Sequence, residues 1–269
     1  MPNYRSTQFG LRHRFVAFVS TRLFSGVTYT IRTGLATGMR RKGGLAFLPL
    51  RWSDTPETRF LTSLELTGKV VYDVGGFEGV LTMFFARRAA RVITFEPNPR
   101  NYARCAHNVR INGLTNVRVL NRGLSSEAGQ LEMLYDRLMP GAASANSDIR
   151  DQISSTATVQ TALISVAPLD SEIETLDLPP PDFVKIDIEG MELQALQGMS
   201  RTLASRGPEL YIELHGAEWR DKIANALAVV RLLEGAGYRA FDVENKTYVS
   251  SATLDSHPPS HLYCTRERH

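Results

Sequence analysis

Segment 73–79 (DVGGFEG) combines a carboxylate with three glycines in a pattern that suits the binding of a small ligand. We expect it where the first strand of a parallel sheet passes into a helix, the position at which such sheets bind nucleotide-like ligands. Gly75 and Gly76 would let the backbone approach a ligand without a Cβ, and the N–H groups at the helix start would receive a carboxylate. The pattern is not G-x-G-x-x-G, because Phe77 occupies the second glycine position, and no G-K-[ST] follows. A tight turn without a ligand is the alternative.

Glu96 ends the second expected strand in the sequence FEPNP, next to the first strand of a doubly wound sheet. A carboxylate at this position can accept both hydroxyls of a ribose. Without such a partner it is expected to face water, because burying an unpaired carboxylate is costly. Asp73, the glycine segment and Glu96 together describe a nucleoside that carries an amino-acid tail rather than a pyrophosphate. S-adenosylmethionine fits that description.

A second group of polar residues follows two later strands. Lys185, Asp187 and Glu189 occupy alternate positions, as do Glu213 and His215. Alternate residues lie on one face of a strand, and the carboxyl ends of parallel strands meet at the binding cleft. We therefore expect Asp187, Glu189 and His215 to converge there.

His215 is the expected general base, because an unperturbed imidazole titrates near neutral pH. Glu189 or Glu213 would orient its ring. Two alternatives stay open: His215 could only hydrogen-bond the loop around Gly216, and Glu189 could be a carboxylate favoured at a helix start. Asp187, Glu189 and His215 could also bind a divalent cation that activates a sugar diol, although no fixed metal-ligand spacing is present.

These residues need a scaffold, and the chain from residue 69 onward alternates short β-branched apolar runs with helical patterns. This alternation predicts an α/β fold with a mostly parallel, seven-stranded sheet and helices on both faces. The expected strands span 69–75, 91–96, 117–120, 183–188, 209–214, 238–243 and 261–265, the last two antiparallel. The expected helices span 79–90, 99–111, 192–205 and 222–235. Residues 130–170 interrupt the pattern as two further strands around a loop at 140–158, which is either a lid over the acceptor site or disordered.

Five stretches of the chain resemble the FkbM-type methyltransferases, which have the Rossmann-like class I methyltransferase fold. They are YDVGGFEG, ITFEPNPRNYARCAHNVRINGL, the pair Leu124-Ser125, FVKIDIEGMELQALQGM and ELYIELHG. The resemblance covers roughly residues 66–244 and implies S-adenosylmethionine as methyl donor and O-methylation of a sugar, polyketide or similar hydroxyl. Gly76-Phe77 and Arg122-Gly123 depart from the residues common in that family.

Transferred to this chain, the resemblance assigns the methionine moiety to Asp73 and the glycines, the ribose to Glu96, adenine to residues 123–125, and the methyl-transfer cleft to Asp187. The full set of expected cofactor-binding residues is Asp73, Gly75, Gly76, Phe77, Gly79, Glu96, Pro97, Gly123, Leu124, Ser125 and Asp187. The expected catalytic residues are His215, Glu189 and Asp187. N-methylation, carboxyl methylation and a non-catalytic scaffold that keeps the cofactor pocket are the alternative functions.

The N-terminal part of the chain is basic. Residues 1–53 contain nine Lys or Arg and no acid, whereas acids outnumber bases in the remainder. We predict a basic N-terminal extension at 1–55 and a methyltransferase domain at 56–269. The extension suits an anionic partner, or it folds over the acidic body. Its apolar residues between 15 and 24 could lie on a membrane beside a lipid-linked glycan, or pack against the body or a second subunit.

Composition excludes several other classes of protein. With two cysteines, Cys105 and Cys264, neither a disulfide scaffold nor a cysteine-built zinc site is available. No apolar stretch reaches the roughly 18 residues of a spanning helix. We therefore expect a soluble, cytoplasmic protein, with a peripheral contact to the inner face of the membrane as the alternative. The motif used for flipped-base amines is absent after the fourth strand, which argues against a nucleic-acid acceptor.

Overall fold

The structure is a computed structural model that describes residues 26–43, 54–136, 143–144, 159–254 and 257–266. The strands are β1 (Thr28–Thr30), β2 (Arg40–Lys42), β3 (Val70–Val74), β4 (Arg91–Phe95), β5 (Val117–Leu120), β6 (Gly123–Leu124), β7 (Gly129–Asp136), β8 (Ala143–Ser144), β9 (Val159–Ala167), β10 (Phe183–Ile186), β11 (Glu209–Glu213), β12 (Tyr238–Asp242), β13 (Thr247–Val249) and β14 (His261–Arg266). The helices are α1 (Pro56–Ser63), α2 (Val80–Ala86), α3 (Pro99–Ile111), α4 (Leu169–Thr175), α5 (Glu192–Gln197), α6 (Ser200–Ser205) and α7 (Trp219–Gly235).

One large sheet lies at the centre of this region, with the strand order β13-β12-β14-β11-β10-β3-β4-β5. The strands from β11 to β5 are parallel, whereas β14 joins β11 and β12 antiparallel. The order of the parallel strands reverses at the pair β3 and β10, which is the switch point of a doubly wound sheet. The predicted Rossmann-like, mostly parallel sheet is therefore confirmed.

The sheet has eight strands rather than the predicted seven. The additional strand, β13, pairs antiparallel with β12 at one edge. It is only three residues long and follows a turn in which Lys246 adopts a positive φ of 54°. A run this short is below the length at which period-two alternation can be recognised.

Helices cover both faces of the sheet, as predicted, because apolar residues alternate along the central strands. In β3, Tyr72 and Val74 pack in one buried cluster with residues of α5 and α7. Val71, on the opposite face, packs with residues of α1 and α2. Both faces of the parallel strands are therefore buried, which leaves the ends of the strands as the place for a ligand.

Capping residues fix the helix boundaries that were easiest to predict. The side chain of Asn98 accepts hydrogen bonds from Arg100 N and Asn101 N at the start of α3, and Pro99 occupies the first helical position. Gly113, with φ 64°, follows its C-terminus. The predicted helix 99–111 accordingly has the observed bounds.

The predicted helix 192–205 is instead two helices, α5 and α6, which meet at Gly198 and Met199. Gly198 is buried, and a Cβ at this position would lie 2.0 Å from the carbonyl oxygen of Ser125. The helical pattern alone shows neither this contact nor the break beside it, because Ser125 is distant in sequence.

The interruption between residues 130 and 170 forms a separate four-stranded sheet with the order β6-β9-β7-β8. β7 and β9 pair antiparallel along their whole length, and β6 runs parallel to β9. Most of the predicted loop 140–158 lies outside the described residues. The two predicted strands are thus confirmed, whereas the predicted lid is not described.

Part of the basic N-terminal stretch packs on the body of the domain. The hairpin of β1 and β2 contacts α3, where Arg40 N donates to Asn112 Oδ1 (2.7 Å) and Lys42 N donates to Asn108 Oδ1 (2.9 Å). Ile31, next to the hairpin, is buried in a cluster with Met83 of α2. The segment 15–24, predicted as a membrane-binding or packing helix, lies outside the described residues. Among the described helices, none has the length and apolar character needed to span a membrane.

The contact at Gly198 leads to a stability prediction. Gly198→Ala should lower the free energy of unfolding by about 1–3 kcal/mol, because the new methyl group overlaps the Ser125 carbonyl. Gly235→Ala is the control: Gly235 is exposed at the end of α7 and a Cβ there would meet no atom within 4 Å, so the change should be neutral or stabilising by about 0.5–1 kcal/mol. Urea unfolding of both variants tests this, and equal effects would contradict it.

Candidate active site

The glycine segment forms a tight loop between β3 and α2, at the switch point of the sheet. Gly75 has φ 81°, and a Cβ there would lie 1.8 Å from the carbonyl oxygen of Asp187. A Cβ on Gly76 would lie 2.1 Å from Cγ2 of Thr94. Both glycines are thus required by contacts within the protein itself, in addition to any approach to a ligand.

Phe77 has a positive φ of 49°, a backbone conformation that costs free energy in a residue with a side chain. Its N–H donates to Glu96 Oε2 (2.7 Å), so the strained loop is fastened to the end of β4. Such strain is concentrated at functional sites in proteins. Sequence patterns did not indicate it, because a positive φ at a residue other than glycine has no local sequence signal here.

Glu96 is only 5% exposed, so the expectation that it faces water in the absence of a ribose is wrong. Its carboxylate accepts hydrogen bonds from the backbone N–H groups of Phe77 and Asn98 (2.9 Å to the latter). Burial raises the pKa of Glu96 to about 7, although the two N–H groups favour the ionised form. Each carboxylate oxygen has a second lone pair, so the group can still accept a hydroxyl.

An apolar cavity lies beside the loop. Four predicted cofactor-binding residues line it: Gly75, Pro97, Gly123 and Leu124. The predicted residues that do not line it are Asp73, Gly76, Phe77, Gly79, Glu96, Ser125 and Asp187. The structure therefore brings the expected adenine-binding positions 123 and 124 to the end of β4, and it buries Ser125 apart from them.

The small sheet supplies another wall of this cavity, which sequence reasoning missed. Leu131 and Met133 of β7 and Ile164 and Val166 of β9 line it. Each pair is spaced by two residues, so the sequence did contain the signal for a shared face. It did not show which surface that face would meet.

Lys185 joins the loop to the end of β10. Its side chain is 3% exposed, and Nζ lies 3.0 Å from Gly75 O, 3.1 Å from Asp187 Oδ2 and 3.6 Å from Asp73 Oδ1. Burial disfavours the charge of Lys185, but Asp187 and Asp73 outweigh it and raise its pKa. Asp73 is itself fully buried and accepts a hydrogen bond from Thr82 Oγ1 (2.6 Å), so it lies beneath the loop.

Asp187, Glu189 and His215 come together at the ends of β10 and β11. His215 Nε2 lies 3.8 Å from Asp187 Oδ1, 3.7 Å from Glu189 Oε2 and 3.5 Å from Glu213 Oε1. Glu189 has a positive φ of 52°, a second strained residue at this end of the sheet. Three carboxylates therefore surround one imidazole nitrogen. Among the described residues, Asp187, Glu213 and His215 offer potential ligand atoms that all lie within 4.8 Å of one another, so Glu213 replaces the expected Glu189 in this set.

The other ring nitrogen of His215 is held by Glu192, a residue that the sequence analysis did not select. Glu192 Oε1 lies 3.0 Å from Nδ1, and this carboxylate is fully buried. Asn225 of α7 donates to Glu192 Oε2 (2.7 Å) and to the His215 carbonyl (2.9 Å). Neither Glu189 nor Glu213 fills this role. In the sequence, Glu192 is one of several acids around a helix start, and no local pattern distinguishes it.

These surroundings oppose the expected role of His215 as general base. Burial alone would lower the pKa of His215, but Glu192, Glu213 and Glu189 raise it to about 11. An imidazole with protons on both ring nitrogens at neutral pH cannot accept a further proton. Burial raises the pKa of Glu189 to about 7, against the opposing charge of His215. In this arrangement a carboxylate is better suited than His215 to accept a proton.

The polar cluster continues beyond the predicted residues to β14 and α1. His261 Nε2 lies 3.6 Å from Glu213 Oε2, and its Nδ1 contacts Glu244 Oε1. The ring of Tyr211 stacks on that of His261, with 5.5 Å between their centroids. Burial raises the pKa of Glu57 in α1, and His261 lowers it. In the sequence, the one signal for this continuation of the polar cluster was the spacing of Tyr211 and Glu213, which places both on the same face of β11.

The strand order and a polar cleft at the switch point define a Rossmann-like domain of the class I methyltransferase type. The chain belongs to the FkbM methyltransferase family: the family model "Methyltransferase FkbM domain" matches residues 73–240. The predicted family resemblance is therefore confirmed.

Three relatives of the chain match it at 30% sequence identity or less. The chain is 30% identical to hexuronic acid methyltransferase AglP of Haloferax volcanii over 164 residues, which cover 61% of this chain and 63% of that protein. It is 26% identical to methyltransferase sdnD of Sordaria araneosa, covering 48% and 60%. A solved methyltransferase FkbM from Methylobacillus flagellatus aligns with a TM-score of 0.47 and 20% identity, covering 73% and 43%. The chain spans less than two thirds of the length of these relatives.

The burial of Lys185 leads to a second stability prediction. Lys185→Met should lower the free energy of unfolding by about 3–5 kcal/mol, because Asp73 and Asp187 would lose their buried counter-charge. Adding Asp73→Asn should restore part of this loss. Arg59→Met, which breaks an exposed pair with Asp54, is the control and should change stability by about 1 kcal/mol or less. Urea unfolding compares the three variants; a Lys185→Met effect as small as that of the control would refute the buried ion pair.

The contact between Glu192 and His215 is tested by Glu192→Gln. The amide retains the size of the side chain but removes the charge that favours the protonated ring. The pKa of His215, followed by NMR titration of its ring protons, should fall by one unit or more. Each unit corresponds to about 1.4 kcal/mol of lost preference for the protonated ring. Glu234→Gln, at an exposed position of α7, is the control and should leave the titration unchanged. An unchanged pKa in Glu192→Gln would contradict the assignment.

Proposed function

We propose that the protein is an S-adenosylmethionine-dependent methyltransferase that methylates a hydroxyl group of a sugar, glycan or similar metabolite. The observation that carries this proposal is the position of the apolar cavity. It extends from Leu124 and Pro97 to Gly75, and the carbonyl oxygen of Asp187 lies next to Gly75. An apolar cavity and a cluster of acid and imidazole groups thus meet at one edge of the sheet.

The donor pocket is consistent with a charged nucleoside that carries an amino-acid tail. The walls at Leu124, Met133 and Ile164 are apolar and suit the faces of an adenine. Glu96, at the end of β4, retains lone pairs for ribose hydroxyls after it has accepted two backbone N–H groups. When bound, S-adenosylmethionine supplies an electrophilic methyl group on a sulfonium. The carboxylates of Asp187 and Glu189 would stabilise this positive charge.

The acceptor half of the site favours a polyhydroxylated group. Carboxylates accept hydrogen bonds from hydroxyls, and Asp187, Glu189 and Glu213 all face the space around His215 Nε2. Hexuronic acid, named for the Haloferax volcanii relative, is a sugar of this kind. The remaining step is removal of the hydroxyl proton near the moment of attack.

We assign Glu189 as the base that accepts this proton. It faces His215 Nε2 but stands outside the closest set of Asp187, Glu213 and His215, and 36% of its side chain is exposed toward solvent. His215 would then act as a hydrogen-bond donor or as a ligand rather than as the base. The cytoplasmic location, a lipid-linked acceptor and contact of the basic N-terminus with a membrane stay predictions.

The donor is tested by calorimetric titration with S-adenosylhomocysteine. Wild type should bind, Glu96→Ala should bind roughly 10- to 100-fold more weakly because hydrogen bonds to a charged group are lost, and NAD should not bind. Glu234→Ala, at an exposed position of α7, is the control and should match wild type. Absence of binding to folded wild-type protein would refute the proposed donor.

The pKa of Glu96 adds a dependence on pH. The ionised carboxylate is the form that accepts both ribose hydroxyls, so affinity should be complete above the pKa of about 7 and be lost as the pH falls below it. Between about pH 8 and about pH 6 the ionised fraction, and with it the affinity for S-adenosylhomocysteine, should fall roughly tenfold. The Glu96→Gln variant should lack the part of this pH dependence that comes from residue 96. Any pH dependence of the affinity that comes from Glu189 should remain in the variant. Identical pH profiles for the two proteins would contradict the role of Glu96.

Turnover tests the proton acceptor. A panel of hydroxylated sugars and glycans is incubated with methyl-labelled donor, and the rate is compared for wild type, Glu189→Gln and the control Glu234→Gln. Glu189→Gln should lower kcat about 10²- to 10⁴-fold, the usual range for loss of a general base, with unchanged affinity for S-adenosylhomocysteine. The control should retain wild-type kcat. A Glu189→Gln enzyme of normal kcat would refute this assignment.

A further inference from the structure

We propose that Asp187, Glu213 and His215 bind one divalent cation of the Mg²⁺ or Mn²⁺ type, which holds hydroxyl groups of the acceptor. The use of the ion in acceptor binding rests on the proposed function, whereas its binding to the protein does not.

The spacing of the three side chains suits a central ion better than direct contacts. One ligand atom from each residue lies within 4.8 Å of the others. His215 Nε2 is 3.8 Å from Asp187 Oδ1 and 3.5 Å from Glu213 Oε1, longer than the usual hydrogen bond of about 2.7–3.2 Å. Ligands at about 2.1 Å from an octahedral ion lie about 3.0 Å apart when adjacent and about 4.2 Å apart when opposite. The observed separations fall between these values.

The orientation of His215 is an independent argument. A histidine that binds a metal almost always donates its second ring N–H to a carboxylate or carbonyl, which fixes the ring. Here Nδ1 contacts the fully buried Glu192 at 3.0 Å, and Nε2 faces the carboxylates. A cation bound at Nε2 would displace the proton that this nitrogen carries without a metal, since metal binding to histidine releases protons. Glu192 is held in turn by Asn225 Nδ2 and by Gly190 N–H. The ring is thus presented to the cleft by a rigid, buried support.

Tyr211 gives a second independent observation. It is 1% exposed, and within the described part of the chain its hydroxyl has no hydrogen-bond partner. It lies on the same face of β11 as Glu213, and the charges of Glu57, Glu244, Glu213 and Asp187, in decreasing order, act on its hydroxyl. A buried hydroxyl without a partner costs free energy, so a bound group is expected beside it. A water or acceptor hydroxyl on the ion would supply that partner.

The chemistry of the donor atoms also suits a cation. Asp187, Glu189 and Glu213 all face His215 Nε2, and Lys185 already bonds both Asp187 and Gly75. Glu213 shares its second oxygen with His261. Oxygen ligands with one imidazole are suitable for Mg²⁺ and Mn²⁺, and three protein ligands leave positions for water or two neighbouring hydroxyls. The ion would hold the acceptor and lower the pKa of its bound hydroxyl.

Binding of Mn²⁺ to the full chain, freed of metal with a chelator, tests the proposal without donor or acceptor. Electron paramagnetic resonance and calorimetry should show one saturable site per chain. Asp187→Asn, Glu213→Gln and His215→Ala should each weaken binding at least about tenfold, and Glu192→Gln should weaken it roughly 10- to 100-fold through the orientation of His215. Glu244→Gln, which contacts His261 outside the three ligands, is the matched control and should bind as wild type does.

Each outcome decides the question. Folded wild-type protein without a saturable Mn²⁺ site overturns the proposal, as does equal binding by wild type and His215→Ala. Loss of binding in the ligand variants supports it only where circular dichroism shows that they are folded, and the wild-type titration is decisive if they are not. S-adenosylhomocysteine titrated into the same preparations separates the two proposals. A protein that binds S-adenosylhomocysteine but shows no saturable Mn²⁺ site refutes the metal site alone. A protein that binds Mn²⁺ but does not bind S-adenosylhomocysteine refutes the proposed donor alone.

Discussion

The buried ammonium group of Lys185 is the interaction on which the site depends. It bonds the carbonyl of Gly75 and the carboxylate of Asp187, and it lies 3.6 Å from Asp73. Two neighbouring strands, β3 and β10, are thereby fixed at the end where the ligand is expected. Asp73 is fully buried, which disfavours its charge, and the positive charge of Lys185 opposes that effect. The position of the glycine loop and the direction of Asp187 toward the cleft both follow from this contact.

The same end of the sheet tolerates unusual backbone conformations because surrounding contacts hold them. Phe77 and Glu189 both have positive φ, at 49° and 52°. The N–H of Phe77 donates a hydrogen bond to Glu96. Glu189 is followed by Gly190, whose N–H donates to Glu192. Strain of this kind is retained where the surroundings over-determine the geometry. Phe77 lies in the glycine loop after β3 and Glu189 follows β10, so two strained residues lie at the end of the sheet where a ligand is expected.

The sequence predicted those features that local patterns encode. The helix 99–111 was predictable from Asn98, Pro99 and Gly113, and the meeting of Asp187 with His215 followed from strand alternation and parallel topology. Tertiary contacts were not predictable. Glu192 becomes the support of His215 only because Asn225 of α7 packs beside it. The cavity wall of β7 and β9 was missed for the same reason, since alternation defines a face but not its partner.

One short helix connects the two halves of the site. α5 begins with Glu192, which contacts His215 at the end of β11, and it is followed by Gly198, which packs against the carbonyl of Ser125. Ser125 comes directly after β6, whose residues Gly123 and Leu124 line the apolar cavity. Closely packed groups do not deform continuously, so a shift of α5 would move both contacts together. A helix of six residues therefore connects the support of His215 with the wall of the apolar cavity.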